Sequence, residues 1–333
     1  MYHLNNNTPF AAQIFLLPDR HGIDTLYLVI KATFDLLPGL RLAERQQPVF
    51  TEDIYCAEPG QSSLKYPSEL HLEKPGTDVI VVGDAIAPNE RPVTMLDVSL
   101  SVAGRICLLK VFGDRLWKNG FLNLEPGSPR PFIRMPVVYE RAYGGMQVID
   151  EASGDILMEK SNPVGKGFWG NRTERDYEAV ALPNIEDPAN LIKKPSDQPA
   201  PAGFGAIAPY WQPRVSRAGT CDECWQKTRA PYLPEDFDLR FYQAAHPGLI
   251  FNGYLKGGEP VKIINMSLRG RQHFNLPKDK PKVEVDITGR SETVKTKLET
   301  VLLEPTDETI SLTWRAFARS GNKISGARVN VTL

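Results

Sequence analysis

TLYLVIKATFD, residues 25–35, alternates along its length. Leu26, Leu28, Ile30, Ala32 and Phe34 share one side of an extended chain, and Tyr27, Val29, Lys31, Thr33 and Asp35 share the other. A period of two in β-branched and aromatic residues predicts a strand, and Leu37-Pro38-Gly39 marks a turn after it. The same reading extends outward. Asp78 to Ile86 is more continuously apolar, as expected of a strand covered on both faces. Val93 to Val102 and Arg105 to Phe112 alternate around Ala103-Gly104 and predict a hairpin. Toward the C-terminus, Gly258 to Ser267, Arg271 to Leu276, Pro281 to Thr288 and Ile324 to Leu333 are further strand candidates. Thr300 to Glu304 and Thr309 to Ala318 flank Pro305-Thr306-Asp307 and form the best hairpin of the chain.

Between these β patterns the chain changes character. From Ser161 to Ala218 proline and glycine recur, and Lys193 to Ala202 is polar and proline-rich, as expected of a mobile loop. Helix is confined to short pieces such as Cys221 to Thr228 and Pro234 to Ala245. The expected architecture is mainly β: an N-terminal β region over 1–135, a loop-rich middle over 136–247 packed between the sheets, and a C-terminal β region over 248–333. The two β regions are expected to be sandwich-like, with a few short helices in the segment that joins them.

The 333 residues are 41% hydrophobic and 24% charged, an ordinary globular composition. A net charge of -1 argues against bulk nucleic acid as a partner. No apolar run approaches the ~18 residues that span a bilayer, and the N-terminus lacks the pattern of a signal peptide. A cytoplasmic protein without a membrane partner is expected.

Chemical motifs are incomplete. Gly165-Lys166-Gly167-Phe168-Trp169-Gly170 fits G-x-G-x-x-G, but no strand precedes it and no amphipathic helix follows, so no cofactor is expected. Phe168 and Trp169 instead suit a loop plugged onto the core. Cys221-Asp222-Glu223-Cys224 is a single C-x-x-C, two ligands short of a structural zinc site. Glu235, Asp236 and Asp238 lie near His246 in sequence, which keeps a hydrolase open if the four converge in a pocket. A carbohydrate-binding β module requires an exposed, flat Trp169, Trp211 or Trp225.

The segment 218–247 concentrates Trp225, Arg229, Asp236 and Arg240 with further aromatics and two X-Pro steps. Aromatics need burial and charges need partners, so an ordered joint locking the middle loops is expected there. Arg141, flanked by Tyr139 and Tyr143 before Gly144-Gly145, has the fork to hold a carboxylate inside the protein or on a partner.

Six stretches carry a resemblance: KPGTDVIVVGDAIAP (74–88), VFGDRLW (111–117), YERAYGG (139–145), NPVGKGF (162–168), PAGFGAIAPYWQPR (201–214) and the 218–247 segment. In this order they resemble a domain-of-unknown-function adaptor family encoded beside PAAR-like proteins of bacterial type VI secretion systems. The resemblance implies a non-enzymatic adaptor or chaperone. Its partners would be a PAAR-like protein or PAAR–toxin fusion and the VgrG spike protein. It supplies no catalytic residues. The contact surface is expected in the loops from Ser161 to Pro213, with Arg141, Tyr143, Trp169 and Trp211 as candidate partner-binding residues.

Overall fold

The structure, a computed structural model, describes residues 2–121, 123–287, 289–319 and 326–333. It is mainly β. The largest sheet runs in the order Ala11–Pro18, Asp24–Asp35, Thr309–Arg319, Lys297–Glu304, Asp78–Val81, with Arg41–Leu42 on the end of the second strand. All neighbours along it are antiparallel except the last pair. A second sheet takes Ile185–Glu186, Arg105–Phe112, Met95–Val102, Pro260–Ile264 and Arg271–Asn275. A third takes His3–Asn6, Arg328–Thr332, Lys282–Ile287 and Arg290–Val294.

The predicted strands are present. The Met95–Val102 and Arg105–Phe112 hairpin turns at Ala103 and Gly104, both at positive φ, the geometry of a two-residue primed turn. Lys297–Glu304 and Thr309–Arg319 form the expected C-terminal hairpin. Three expectations are refined. Asp78 to Ile86 divides after Val81, because Asp84–Ile86 leaves the large sheet to pair with Arg134–Pro136. The stretch Ile324 to Leu333 begins outside the described residues, and its described strand, Arg328–Thr332, lies between two others in its sheet. Only Glu223–Thr228 is an α-helix among the described residues, whereas 234–245 contributes the 3-10 turn Leu239–Tyr242.

Strand partners are drawn from across the chain. Asp24–Asp35 pairs with Thr309–Arg319, and Met95–Val102 pairs with Pro260–Ile264. Residues 1–135 and 248–333 therefore share both large sheets, and the sheets that 1–135 builds alone are two-stranded, Ile54–Tyr55 with Leu64–Tyr66 and Trp117–Asn119 with Leu124–Pro126. The apolar faces of all three sheets meet in one core, from Leu28 and Ile30 through Val98 and Leu100 to Val285 and Val329. The middle segment adds Tyr139, Phe204 and Trp211 to it.

The second face of the large sheet is also buried, and it is polar. Lys31, Thr33, Ser311, Thr313 and Arg315 project from paired positions and are nearly inaccessible to solvent. Chain from the 43–78 connection covers them. Glu69 accepts from Lys31 Nζ at 3.2 Å and from Thr313 Oγ1 at 2.7 Å. Arg315 Nε donates to Glu299 at 2.6 Å, and its Nη2 reaches the Glu69 carbonyl at 2.8 Å. Lys74 Nζ lies 2.8 Å from Asp78 and donates to Thr300 Oγ1 at 2.9 Å, while its amide donates to Glu299. His71 stacks on Tyr242 and meets Arg315 Nη2 through Nε2 at 3.1 Å. Lys31, Lys74 and Arg315 thus each face a carboxylate, Glu69, Asp78 and Glu299 respectively, which makes their burial tolerable.

Two outcomes follow. Glu299→Ala strands a buried guanidinium and should lower the unfolding free energy by about 3–5 kcal/mol in urea denaturation; a loss below about 1 kcal/mol would mean the pair is dispensable. Burial, and then the charges of Arg315, Lys74 and Arg214, hold the His71 ring well below its ordinary 6.5. Below that pH the unfolded chain binds a proton that the folded chain refuses, so stability falls as pH drops from 6.5 toward the depressed folded value, and above 6.5 the effect vanishes. His71→Gln should therefore flatten the decline of the urea midpoint between about pH 7.5 and about pH 5.5 relative to wild type.

Candidate functional site

Two asparagines bring the middle motifs together. Asn162 is fully buried, and its Nδ2 donates to the carbonyls of Tyr139 and Tyr143 at 2.8 and 2.9 Å. Its own carbonyl accepts from the Gly145 amide. Tyr143–Gly144 and Lys166–Gly167 then pair as short parallel strands. Gly144 sits at φ +149, and a Cβ there would lie 2.1 Å from the Asn162 carbonyl oxygen, so only glycine permits the approach. YERAYGG and NPVGKGF are thus two halves of one backbone junction. The G-x-G-x-x-G spacing reflects this packing. Trp169 closes its outer side, edge-on to Trp117, with its indole N–H on the Arg172 carbonyl.

Asn184 is the second centre, also fully buried. Its Nδ2 donates to Asp114 at 3.0 Å and to the Phe112 carbonyl. Its Oδ1 accepts from Lys166 Nζ at 3.0 Å and from Arg141 Nη1 at 3.2 Å. Arg141 also lies 3.8 Å from Asp114. The hydrogen bond from Asn184, with the charges of Lys166, Arg141 and Arg130, holds the Asp114 carboxyl below the usual range. Burial and the neighbouring Arg141 push the Lys166 amine down. Beside this cluster opens a cavity of about 590 Å³, lined by Asp114, Arg115, Leu116, Arg130, Lys166 and Leu182 among others. Arg115 in its wall is neutralised by a buried pair with Glu186.

Next to the base of this junction a hairpin stands in solvent. Met146–Asp150 pairs with Asp155–Met158, and the two strands have no further partner in their sheet. Met146, Val148, Ile149, Ile156, Leu157 and Met158 are all exposed, Val148 by 51%. Glu159 and Gln147 fix its base, through the Gly145 carbonyl and the Asn171 amide respectively.

The residues singled out from sequence divide between these places. Arg141 and Tyr143 belong to the motif junction, where Arg141 is an internal partner of Asn184 and Asp114. Trp169 is half-buried against Trp117. Trp211 is 0% exposed in the main core, which rules it out as a sugar platform. Trp225 is half-buried, with its indole N–H on the Tyr232 carbonyl. Arg229 ties the 218–247 segment to the large sheet by donating from Nη2 to the Arg20 carbonyl at 2.7 Å, and it also bonds the Leu233 carbonyl. Asp236 holds the Thr220 amide and hydroxyl, and these bonds depress its carboxyl. Arg240 forms a surface pair with Asp238, which caps the turn Leu239–Tyr242; screened by water, such a pair contributes little to stability.

The hydrolase geometry is not assembled. Glu235 faces Arg229, Asp236 faces Thr220 and Asp238 faces Arg240. His246 lines a different cavity, beside Cys107 and Asp187, which none of the three carboxylates lines. Its Nδ1 accepts from the Gly248 amide, a capping contact. Cys221 and Cys224 are exposed, at the start of the helix Glu223–Thr228 and within it. The 193–202 loop is held by Asp197, which accepts from the amides of Lys193 and Lys194, and it buries Pro199 and Ala202. No helix among the described residues is long and apolar enough to cross a membrane.

The family described as uncharacterized proteins conserved in bacteria, DUF2169, matches residues 21–315 of this sequence. The chain belongs to DUF2169. No curated protein and no solved structure matches it significantly. The DUF2169 match covers the second sheet, the largest sheet except its edge strand Ala11–Pro18 and the last residues of Thr309–Arg319, and the whole motif junction, so the junction lies within the family's own region. Asn162, Asn184 and Lys166 were not singled out from the sequence. Asn162 and Lys166 sit inside NPVGKGF, where a polar residue between glycine-bearing segments was the available signal; Asn184 follows a proline in an ordinary loop and had none. Asn162→Ala removes the donor from two buried carbonyls and should cost about 2–4 kcal/mol of stability in this DUF2169 protein. Chemical denaturation checks this, and a cost under about 1 kcal/mol would remove Asn162 from the centre of the junction.

Proposed function

We propose that this DUF2169 protein is a non-enzymatic cytoplasmic adaptor or chaperone. It binds a PAAR-like domain, alone or fused to a toxin, and helps load it onto the VgrG spike protein of a type VI secretion system. The partner's identity is carried by the resemblance of six ordered motifs. An interaction role is supported independently by the Met146–Asp150 and Asp155–Met158 hairpin, whose apolar side chains lie in water on a rigid base. Exposed apolar clusters of this kind mark contact surfaces, and a hairpin with free edges can add a partner strand.

Charge narrows the fit. Asp150, Glu151, Asp155 and Glu159 surround the apolar residues, with Lys160 the one nearby cation in this stretch. A partner surface with an apolar strand and a basic rim complements it. The contact surface then sits just before the loops from Ser161 to Pro213. Those loops serve as its support, since several of their side chains are buried.

Co-expression with a PAAR-like protein from the same genome, followed by size-exclusion chromatography, tests the proposal. Wild type should co-elute with it. Val148 and Ile156 face each other across the hairpin. Val148→Lys with Ile156→Glu keeps a favourable cross-strand pair and should weaken co-elution by at least about tenfold with little change in urea midpoint. No co-elution of wild type, with or without the spike protein, would contradict the adaptor role.

A further inference from the structure

The cavity beside Asn184 carries more positive charge than its own walls neutralise. Arg115 is paired with Glu186, and Lys118 with Glu125 at 3.1 Å. That leaves Lys166 and Arg130 in the lining against the single lining carboxylate of Asp114, with Arg141 behind them shared between Asp114 and Asp84. Lys166 and Arg141 both donate into one neutral amide oxygen, Asn184 Oδ1, which carries no charge to answer theirs. Asp114 is the one carboxylate that acts on Lys166, and the Lys166 amine is half-buried. Unanswered charge costs more away from bulk water than in it. The walls between these cations are apolar: Leu116 is 52% exposed at the rim, and Leu182 and Trp117 form the floor. About 590 Å³ of space is within the usual range of a ligand pocket.

We infer that this cavity binds a carboxylate presented on a peptide, either an acidic side chain or a free chain end, next to an apolar residue. The carboxylate lies between Lys166 and Arg130, accepting charge-assisted hydrogen bonds from both. The apolar neighbour rests on Leu116 and Leu182. Asn184 acts as the positioning residue: its neutral amide oxygen holds Lys166 and Arg141 in place without consuming their charge, while Asp114 offsets only part of it. An apolar wall beside the cations suits a peptide better than a free inorganic anion, which has nothing to place there. The site's chemistry stands on the cavity itself, and only the identity of the protein that supplies the peptide rests on the adaptor reading.

Isothermal titration calorimetry on the full chain tests it with short, leucine-containing peptides capped at the N-terminus. One carries an internal aspartate and a C-terminal amide, a second replaces that aspartate with asparagine, and a third is neutral except for a free C-terminal carboxylate. At least one carboxylate peptide should bind about tenfold more tightly than the asparagine peptide. The arm that binds identifies side chain or chain end as the source. Lys166→Gln should abolish the preference. Arg130→Gln alters an exposed side chain, so it should fold normally and weaken the preference several-fold even if the Lys166 variant is unstable. Equal affinity for all three peptides, binding of inorganic phosphate but of no peptide, or a preference unchanged in Arg130→Gln would overturn the inference. Peptide preference without co-elution of the PAAR-like protein would remove that partner and leave the site standing. Co-elution without peptide preference would do the reverse.

Discussion

The buried Arg315–Glu299 pair, with the charges gathered around it, is the constraint on which the rest of the structure depends. A guanidinium and a carboxylate are each about 1% exposed on the second face of the large sheet. Neither could be buried alone. Their supporting partners come from Lys31 near the start of the chain, from Glu69, His71 and Lys74 in a long connection, and from Asp78. The network is therefore complete only when the two ends of the chain lie side by side. It also fixes register, because a shift of one residue would turn Thr313 and Arg315 toward the apolar core and bring Leu312 and Trp314 under the polar cover.

The same network positions the middle of the chain. Asp78 accepts from the Ala244 amide as well as from Lys74, and His71 stacks on Tyr242. The 218–247 segment is thereby fastened to the polar face at one end and, through Arg229 and Arg20, to the edge of the large sheet at the other. Its carboxylates, arginines, aromatics and histidine are engaged in caps, surface pairs and stacking, while Cys221 and Cys224 are exposed. An exposed apolar hairpin and a cationic cavity lie beside the Asn162 and Asn184 junction instead. A junction this tightly bonded can offer both surfaces without reorganising, which reduces the entropy lost on binding.

Much of the β framework was legible because alternation reports directly on strands. Residues 25–35 and 309–318 read as strands, and Ala103-Gly104 read as a turn. Pairing was not legible. Alternation put Lys31 and Thr33 on one side of a strand without marking that side as buried, because burial of a lysine depends on Glu69, a partner nothing in the local pattern identifies. For the same reason the two ends of the chain read as separate β regions. At the site, the sequence marked the motifs and not their contacts. Arg141 and Tyr143 were visible as an arginine among aromatics, whereas Asn184 acquires its importance only from the four groups it touches in three dimensions. Conversely, Glu235, Asp236, Asp238 and His246 are close in sequence and face different partners. The hairpin of Met146–Asp150 and Asp155–Met158 was not singled out from the sequence, because only the fold shows that its apolar residues are left in water.

The central claim is that the motif junction is a preformed support and that partner contact falls on the hairpin beside it. Hydrogen–deuterium exchange on the free protein, and on its mixture with a PAAR-like protein, tests this most directly. The account predicts that the amides of Gly145, Lys166 and Phe168, each bonded within the junction, exchange slowly in both samples, while new protection appears across residues 146–158 on mixing. Fast exchange at the junction in the free protein, or new protection confined to 218–247 with none on the hairpin, would contradict it.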